Sequence, residues 1–266
     1  MNVYNKLIIV TGGGSGMGRS LVLKLLEKGT RVAAIDINQE GLEETAVLAE
    51  EKKDSLTIFK LDITDKQAVE KTLGQIIEQA GAVDGIINNA GIIQPFKKLN
   101  DIDYDVVERV LNVNLWGTIY LTKTLLTHLL KRPEAHVVNV SSMGGFFAFP
   151  GQTIYGASKA AVKIMTEGLI QELSSTSVYV SVVFPGAVNT NIMANSGLEI
   201  NVEQQEAAKQ SSRLLSAERA AEIIINGIEK NKKRIFVGKD ARIMDYLYRL
   251  SPNRAVKFIS KKMGDH

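Results

Sequence analysis

"KLIIVTGGGSGMGR", residues 6–19, carries three local signals in succession. The β-branched, apolar run Leu7 to Val10 suits a strand covered on both faces. Glycines at 12, 13, 14, 16 and 18 then turn the chain, and a helical segment follows from about Met17 to Lys28, closed by Gly29. Glycine at Gly12, Gly16 and Gly18 lets the backbone turn tightly and approach a pyrophosphate at a helix N-terminus. The general G-x-G-x-x-G spacing is absent, and a glycine-rich turn can also be plain loop plasticity. The surroundings decide.

Outward from this stretch, short apolar runs alternate with amphipathic ones to the end of the chain. The runs are "RVAAID" (31–36), "LTIFKLD" (56–62), "VDGIINN" (83–89), "HVVNVSS" (136–142), "VYVSVVFP" (178–185) and "RIFVG" (234–238). Helices are predicted from Gln39 to Lys52, from an Asp65 cap to Ala80 before Gly81, and in one long segment from Tyr104 to Leu130 before Pro133. This alternation predicts an α/β fold: a doubly wound parallel sheet of about seven strands with helices on both faces. No linker, repeat or low-complexity tract interrupts it, so one domain is expected.

Composition removes several chemistries. At 266 residues, with 45% apolar and 23% charged residues, the chain can fill a sizeable core. It has no cysteine, hence no disulfide, thiolate–metal site or Cys nucleophile. His128, His136 and His266 share no metal-ligand spacing, so no metal site is expected; the first two read as a helix flank and a strand start. The N-terminus lacks signal-peptide character and no apolar run reaches 18 residues, so a cytoplasmic location is expected. From Lys232 to Lys262 ten Lys or Arg stand against Asp240 and Asp245, a net +8 that leaves −5 for the rest. Nucleic-acid binding by the body is therefore not expected.

Two further features carry chemistry. The second run ends in Asp36, eighteen residues after Gly18. A carboxylate there can accept both ribose hydroxyls of an adenosine and repel a 2′-phosphate; its plainer reading is a strand-end cap. Ile37 follows, not an arginine that could pair with a 2′-phosphate. "YGASK" (155–159) opens a helix with Val162, Met165, Leu169 and Leu173 at helical spacing, which puts Tyr155 and Lys159 one turn apart on one face. Taken alone, that pair reads as an exposed couple at a helix start.

Taken together, these motifs resemble the short-chain dehydrogenase/reductase family over nearly the whole chain, with a Rossmann-type fold. "TGGGSGMG" resembles its T-G-x-x-x-G-x-G cofactor turn, which implies contacts from Gly12, Gly14, Ser15, Gly16, Met17 and Gly18. "LDIT" (61–64) resembles the third-strand end, where Asp62 with Ile63 would meet the adenine, beside Asp36 and Ile37. "NNAG" (88–91) resembles the motif after the fourth strand, implying Asn89, Ala90 and Gly91 near the cofactor. "PGAVNT" (185–190) resembles the segment beside the nicotinamide: Pro185, Gly186, the backbone at Val188, and Thr190. The resemblance implies NAD as cofactor and a catalytic set of Asn114, Ser142, Tyr155 and Lys159, with Tyr155 and Lys159 also touching the cofactor.

Within that set Tyr155 would be the proton acceptor or donor. A phenol of pKa about 10 is a poor base at neutral pH unless a cation such as Lys159 favours its phenolate. Ser142, thirteen residues before Tyr155, would give the substrate oxygen a second donor; Ser141 reads as a strand-end residue. Ser142 and Tyr155 are thus the expected substrate contacts. Asn114 in "LNVNLWG" resembles the asparagine that bends a helix and holds a relay water, with Asn112 a surface amide. All four are present, which favours an enzyme over a dinucleotide-binding sensor or scaffold.

Substrate and assembly are less defined. The segment after the P-G motif, residues 191–216, holds only Lys209 and Arg213 as cations. Phe146, Phe147 or Phe149 on a cleft wall would favour an apolar secondary alcohol or ketone; their plainer role is packing under the loop. A homodimer or homotetramer through the 104–130 and "YGASK" helices is implied by the resemblance. Residues 1–238 form the dinucleotide-binding and catalytic part, and 239–266 a basic amphipathic extension read as two helices, the second from Ser251-Pro252. Its expected stripes are Ile243, Leu247 and Leu250, then Val256, Ile259 and Met263. They suit either packing on the body or peripheral contact with an anionic membrane.

Overall fold

The computed structural model describes residues 1–147, 149–190, 192–198 and 214–263, with side chains to Lys257. All seven predicted runs form strands: β1 (Leu7–Thr11), β2 (Arg31–Asp36), β3 (Leu56–Lys60), β4 (Gly85–Asn88), β5 (Ala135–Val140), β6 (Val178–Pro185) and β7 (Arg234–Val237). They make one parallel sheet in the order β3-β2-β1-β4-β5-β6-β7. Ile8 lies between Val32 of β2 and Gly85 of β4, so the winding reverses between β1 and β4. At such a switch point adjacent connections leave the sheet on opposite sides, opening a crevice at the carboxyl ends of the strands.

The apolar faces of the helices fix both layers. On one side α1 (Gly16–Glu27) and α8 (Ala217–Glu229, after the short α7 at Ile192–Asn195) press Leu21, Val22, Leu25, Ile224 and Ile225 onto the sheet. On the other, α3 (Lys66–Ala80), α5 (Thr118–Leu129) and α6 (Thr153–Glu172) contribute Leu73, Leu121, Leu125 and Leu169. The α3 ends are as expected: Asp65 accepts the Ala68 N–H at 3.0 Å, and Gly81 closes the helix at φ +72°.

Two predicted helices differ. α2 (Gln39–Leu48) stops short of Lys52, and residues Glu50–Ser55 tighten into a 3₁₀ turn entered through Glu50 at φ +50°. The long segment is three pieces: α4 (Tyr104–Leu111), a π turn over Asn112–Gly117, and α5. The π turn exists where Asn114, fully buried, turns its amide sideways to bond Ile92 and Ser158. Widened turns of this kind commonly mark functional positions.

Beyond β7, Gly238 at φ +105° redirects the chain into α9 (Lys239–Leu250) and α10 (Pro252–Met263). The expected stripe is rotated. Ala241 and Met244 are buried with Leu247 and Tyr248 against Phe147, whereas Ile243 and Leu250 are 57% and 66% exposed. The anchors set this rotation: Asp240 accepts the Ala187 N–H at 2.8 Å, and Asp245 pairs with Arg234 at 2.8 Å. On α10 the buried residue is Ala255, and Val256 is exposed; the side chains of Ile259 and Met263 lie outside the described residues. No helix among the described residues is long and apolar enough to cross a membrane.

Candidate active site

The crevice is floored by the glycine turn. Gly12 (φ +70°) and Gly16 (φ +51°) use backbone angles costly for any side chain, and a methyl on Gly18 would collide with the Gly12 carbonyl. Ser15 sits at the N-cap of α1 without capping it; its Oγ instead accepts a hydrogen bond from Asn195 at 2.7 Å. The first-turn N–H groups of Gly16, Met17 and Gly18 are therefore open to an anion. Asp36 at the end of β2 accepts the Gly14 N–H at 2.9 Å on one oxygen and the Asn38 N–H at 3.0 Å on the other. Ile37 beside it is exposed.

Asp62 is exposed, with one oxygen held by the Thr64 N–H and hydroxyl at 2.9 and 2.7 Å. Ile63 is buried, its side chain packed under Gly117. The "NNAG" residues tie the sheet together. Asn88 donates to Thr122 and Asn139 at 3.0 and 2.8 Å, and Asn89 donates to the Thr11 carbonyl at 3.0 Å. The N–H groups of Asn89 and Ala90 both reach the Thr11 hydroxyl at 3.0 Å.

Gly91 supplies space: a methyl there would lie 3.0 Å from Lys159 Nζ and 3.1 Å from Asn114 Oδ1. Those two side chains converge behind it. Lys159, only 4% exposed, donates to the Val140 carbonyl at 3.0 Å, and burial lowers its pKa to about 8. Asn114 accepts from Ile92 N and donates to Ile92 O and Ser158 Oγ, each at 2.9 Å. Asn112 is on the surface, as its plainer reading held.

The two serines part company. Ser141 is buried and donates to the Lys159 carbonyl at 2.7 Å, tying β5 to α6. Ser142 faces the phenol: a methyl on Gly144 would lie 3.4 Å from both Ser142 Oγ and the Tyr155 ring. Burial raises the Tyr155 pKa, and a hydrogen bond from Ser142 works against that rise. The expected downward pull from Lys159 is not what governs the phenol here, because its ammonium is turned to the β5 backbone.

The P-G segment continues β6. Gly186 N–H bonds the Val237 carbonyl at 2.9 Å, Val188 bridges Leu215, and Thr190 is half-buried beyond it. Lys209 and Arg213 lie outside the described residues. Phe146, Phe147 and Phe149 pack together with the C-terminal helices, their plainer role, and Phe149 would also lie 3.7 Å from a methyl on Gly144, which itself is beside Tyr155. A cleft of about 530 Å³ lies behind this loop, between α6 and Tyr248, and none of Ser142, Tyr155 or Lys159 lines it. His128 accepts the Val83 N–H and buried His136 bonds Ser181, both structural.

Gln94 gave no signal in the sequence, being a lone amide between Ile93 and Pro95. It is fully buried, and its carbonyl oxygen accepts the N–H groups of Ile154 and Tyr155 at 2.7 and 2.9 Å. It thus caps α6 from another element and fixes the first turn of the helix, in which Tyr155 sits.

A parallel sheet with this order, an uncapped glycine turn at its switch point and a tyrosine–serine–lysine cluster beside it match one family. Residues 6–201 fit the family model described as short chain dehydrogenase. The chain belongs to the short-chain dehydrogenase/reductase family. SadH of Mycobacterium tuberculosis, named as an oxidoreductase, is 35% identical over 250 residues, covering 92% of this chain and 90% of its own. A short-chain dehydrogenase/reductase from Burkholderia phymatum, in complex with NAD, superposes with a TM-score of 0.84 at 23% identity, over 94% of this chain and 96% of that one. ElxO with NADP bound superposes at 0.77 with 22% identity, over 88% and 97%. This short-chain dehydrogenase/reductase is thus an oxidoreductase of a family that binds a nicotinamide dinucleotide and acts on small molecules.

Proposed function

We propose that the protein is an NAD-dependent oxidoreductase interconverting an apolar secondary alcohol and its ketone. The observation that carries the cofactor choice is Asp36. Its two oxygens each accept one backbone N–H and retain capacity for a ribose hydroxyl, and no cation pairs with it among the described residues. A 2′-phosphate at that position would meet an uncompensated carboxylate. The residues present fit the group: the α1 first turn is uncapped, and glycines 12 and 18 leave no room for side chains where the backbone must approach. Asp62, the backbone of Ile63, Asn89 to Gly91 and Pro185 to Thr190 would line the remainder.

When bound, the dinucleotide supplies or takes up the hydride. Tyr155 handles the proton: its phenolate accepts the hydroxyl proton in oxidation, and its phenol returns one to the carbonyl oxygen in reduction. Ser142 donates a hydrogen bond to the same oxygen. Lys159 would hold the ribose and, once turned from the Val140 carbonyl toward Tyr155, would favour the phenolate by its charge; Asn114 holds the π turn against the strand-4 loop and Ser158 on α6. Burial opposes the charge on both Tyr155 and Lys159, and at the phenol the hydrogen bond from Ser142 works against that effect. Phe149 beside Tyr155 supports an apolar substrate.

Exposed Tyr104, Trp116 and Leu130 on the α4–α5 side, with Ile164 on α6, support a homodimer or homotetramer through these helices. In this reading the enzyme is cytoplasmic, residues 1–238 carry cofactor and chemistry, and residues 239–266 extend that unit. A panel of alcohols and ketones, followed by nicotinamide absorbance with each cofactor, tests it. Turnover should favour NAD(H) and uncharged secondary alcohols or ketones. Equal affinity for NADP(H) would refute the role given to Asp36.

A further inference from the structure

The helix α9 is apolar on two faces, and the body uses only one. Ala241, Met244, Leu247 and Tyr248 face the phenylalanine loop. On the opposite side Ile243, Tyr246 and Leu250, spaced three and four apart, are 57%, 65% and 66% exposed, and Val256 of α10 is exposed beyond them. Cations surround this stripe. Lys239, Arg242, Arg254 and Lys257 are exposed and have no acidic partner among the described residues.

The two acids of the segment are spent elsewhere. Asp240 accepts the Ala187 N–H, and Asp245 pairs with Arg234 and Arg249. The outward face therefore carries an apolar centre in an uncompensated positive field. A second copy docking face to face would bring two such fields together, and like charges oppose that contact. An interfacial helix of this composition, cationic at its margins and with a tyrosine in the apolar stripe, suits an anionic lipid surface.

We propose that the outer face of α9 and the start of α10 bind the surface of an anionic bilayer. Placement adds a consequence. Asp240, at the first turn of α9, holds the N–H of Ala187 in the P-G segment, so a bilayer under α9 would lie close to the segment proposed to flank the nicotinamide. An apolar substrate dissolved in that bilayer would then enter without crossing water. That last step rests on the proposed alcohol or ketone substrate; the binding itself does not.

The test is co-sedimentation of the full-length protein with phosphatidylglycerol–phosphatidylcholine vesicles and with phosphatidylcholine alone, at low and high salt. Two variants accompany the wild type: Ile243→Ser with Leu250→Ser, and Arg242→Glu with Arg254→Glu. Thermal melts and gel-filtration volume monitor fold and assembly. Expected is binding to the anionic vesicles, weakened roughly ten-fold by high salt. Each double variant should lose about as much without a change in melting or assembly. Absence of wild-type binding at low salt would overturn the proposal. So would binding indifferent to the Ile243 and Leu250 changes, which would mean unspecific charge attraction. A smaller assembly in either variant would also overturn it, by assigning the face to a subunit contact.

Discussion

Replacing Lys159 with methionine should abolish activity yet make the cofactor-free protein more stable at neutral pH. Lys159 is 4% exposed, and burial lowers its pKa from 10.5 to about 8. At pH 7 it is charged in both folded and unfolded chains, so the folded state bears the cost of the lowered pKa, about 3 kcal/mol. Methionine fills a similar volume without the charge, and forfeits the hydrogen bond to the Val140 carbonyl, worth about 1 kcal/mol. The net gain is about 2 kcal/mol at pH 7, or roughly 4–8 °C in Tm for a domain of this size. The sign with pH follows from linkage. Between about 8 and 10.5 the unfolded lysine binds more protons than the folded one, so wild-type stability rises with pH through that window. By pH 9.5 most of the penalty is gone and the variant's advantage nearly vanishes. Urea titrations of both proteins at pH 7 and 9.5, without cofactor, measure this. A variant less stable than wild type at pH 7, or a stability gap that ignores pH, would refute the buried-charge reasoning.

Other substitutions separate the remaining roles. Tyr155→Phe should remove turnover while leaving NAD affinity within about two-fold, measured by kinetics and cofactor titration, since it deletes a proton and little else. Ser142→Ala should lower kcat by about 10²-fold, whereas Ser141→Ala should chiefly cost about 1 kcal/mol of stability through its lost bond to the Lys159 carbonyl. A larger kcat loss for Ser141→Ala would reverse the assignment. Asp36→Ala with Ile37→Arg should shift preference toward NADP(H); Asp36→Ala alone should weaken NAD, because the Gly14 and Asn38 N–H groups lose their acceptor. Gln94→Leu should cost roughly 2 kcal/mol or more by leaving two buried N–H groups unpaired at the start of α6. It should also depress kcat with NAD affinity little changed, and Gln94→Glu, which keeps the acceptor, should recover part of both.

Much of the architecture was legible because it is written in local repeats. Seven apolar runs separated by capped amphipathic segments admit few arrangements other than a doubly wound parallel sheet. Glycines 12, 16 and 18 were legible because only glycine suits so tight a turn, and Asp36 because it ends the next strand. The serine choice was legible only through a spacing borrowed from the resemblance; Ser141 and Ser142 are chemically alike. What separates them is what each meets just past β5: Ser141 bonds the Lys159 carbonyl in the backbone of α6, whereas Ser142 caps the next turn and faces the Tyr155 phenol.

The sequence by itself determined which backbone segments become strands and helices, where the chain can turn, and which side chains share a face. The tertiary structure decided what lies across from them. It broke the long helix at Asn114, because that amide finds Ile92 and Ser158 rather than solvent. It made Gln94 the cap of α6 from sixty residues away. It also rotated α9 so that Ile243 and Leu250 face outward, because the Asp240 and Asp245 anchors outweigh the choice between two similar apolar stripes. Period and propensity act over one or two turns of chain, whereas hydrogen bonds between distant segments exist only once the sheet has brought them together.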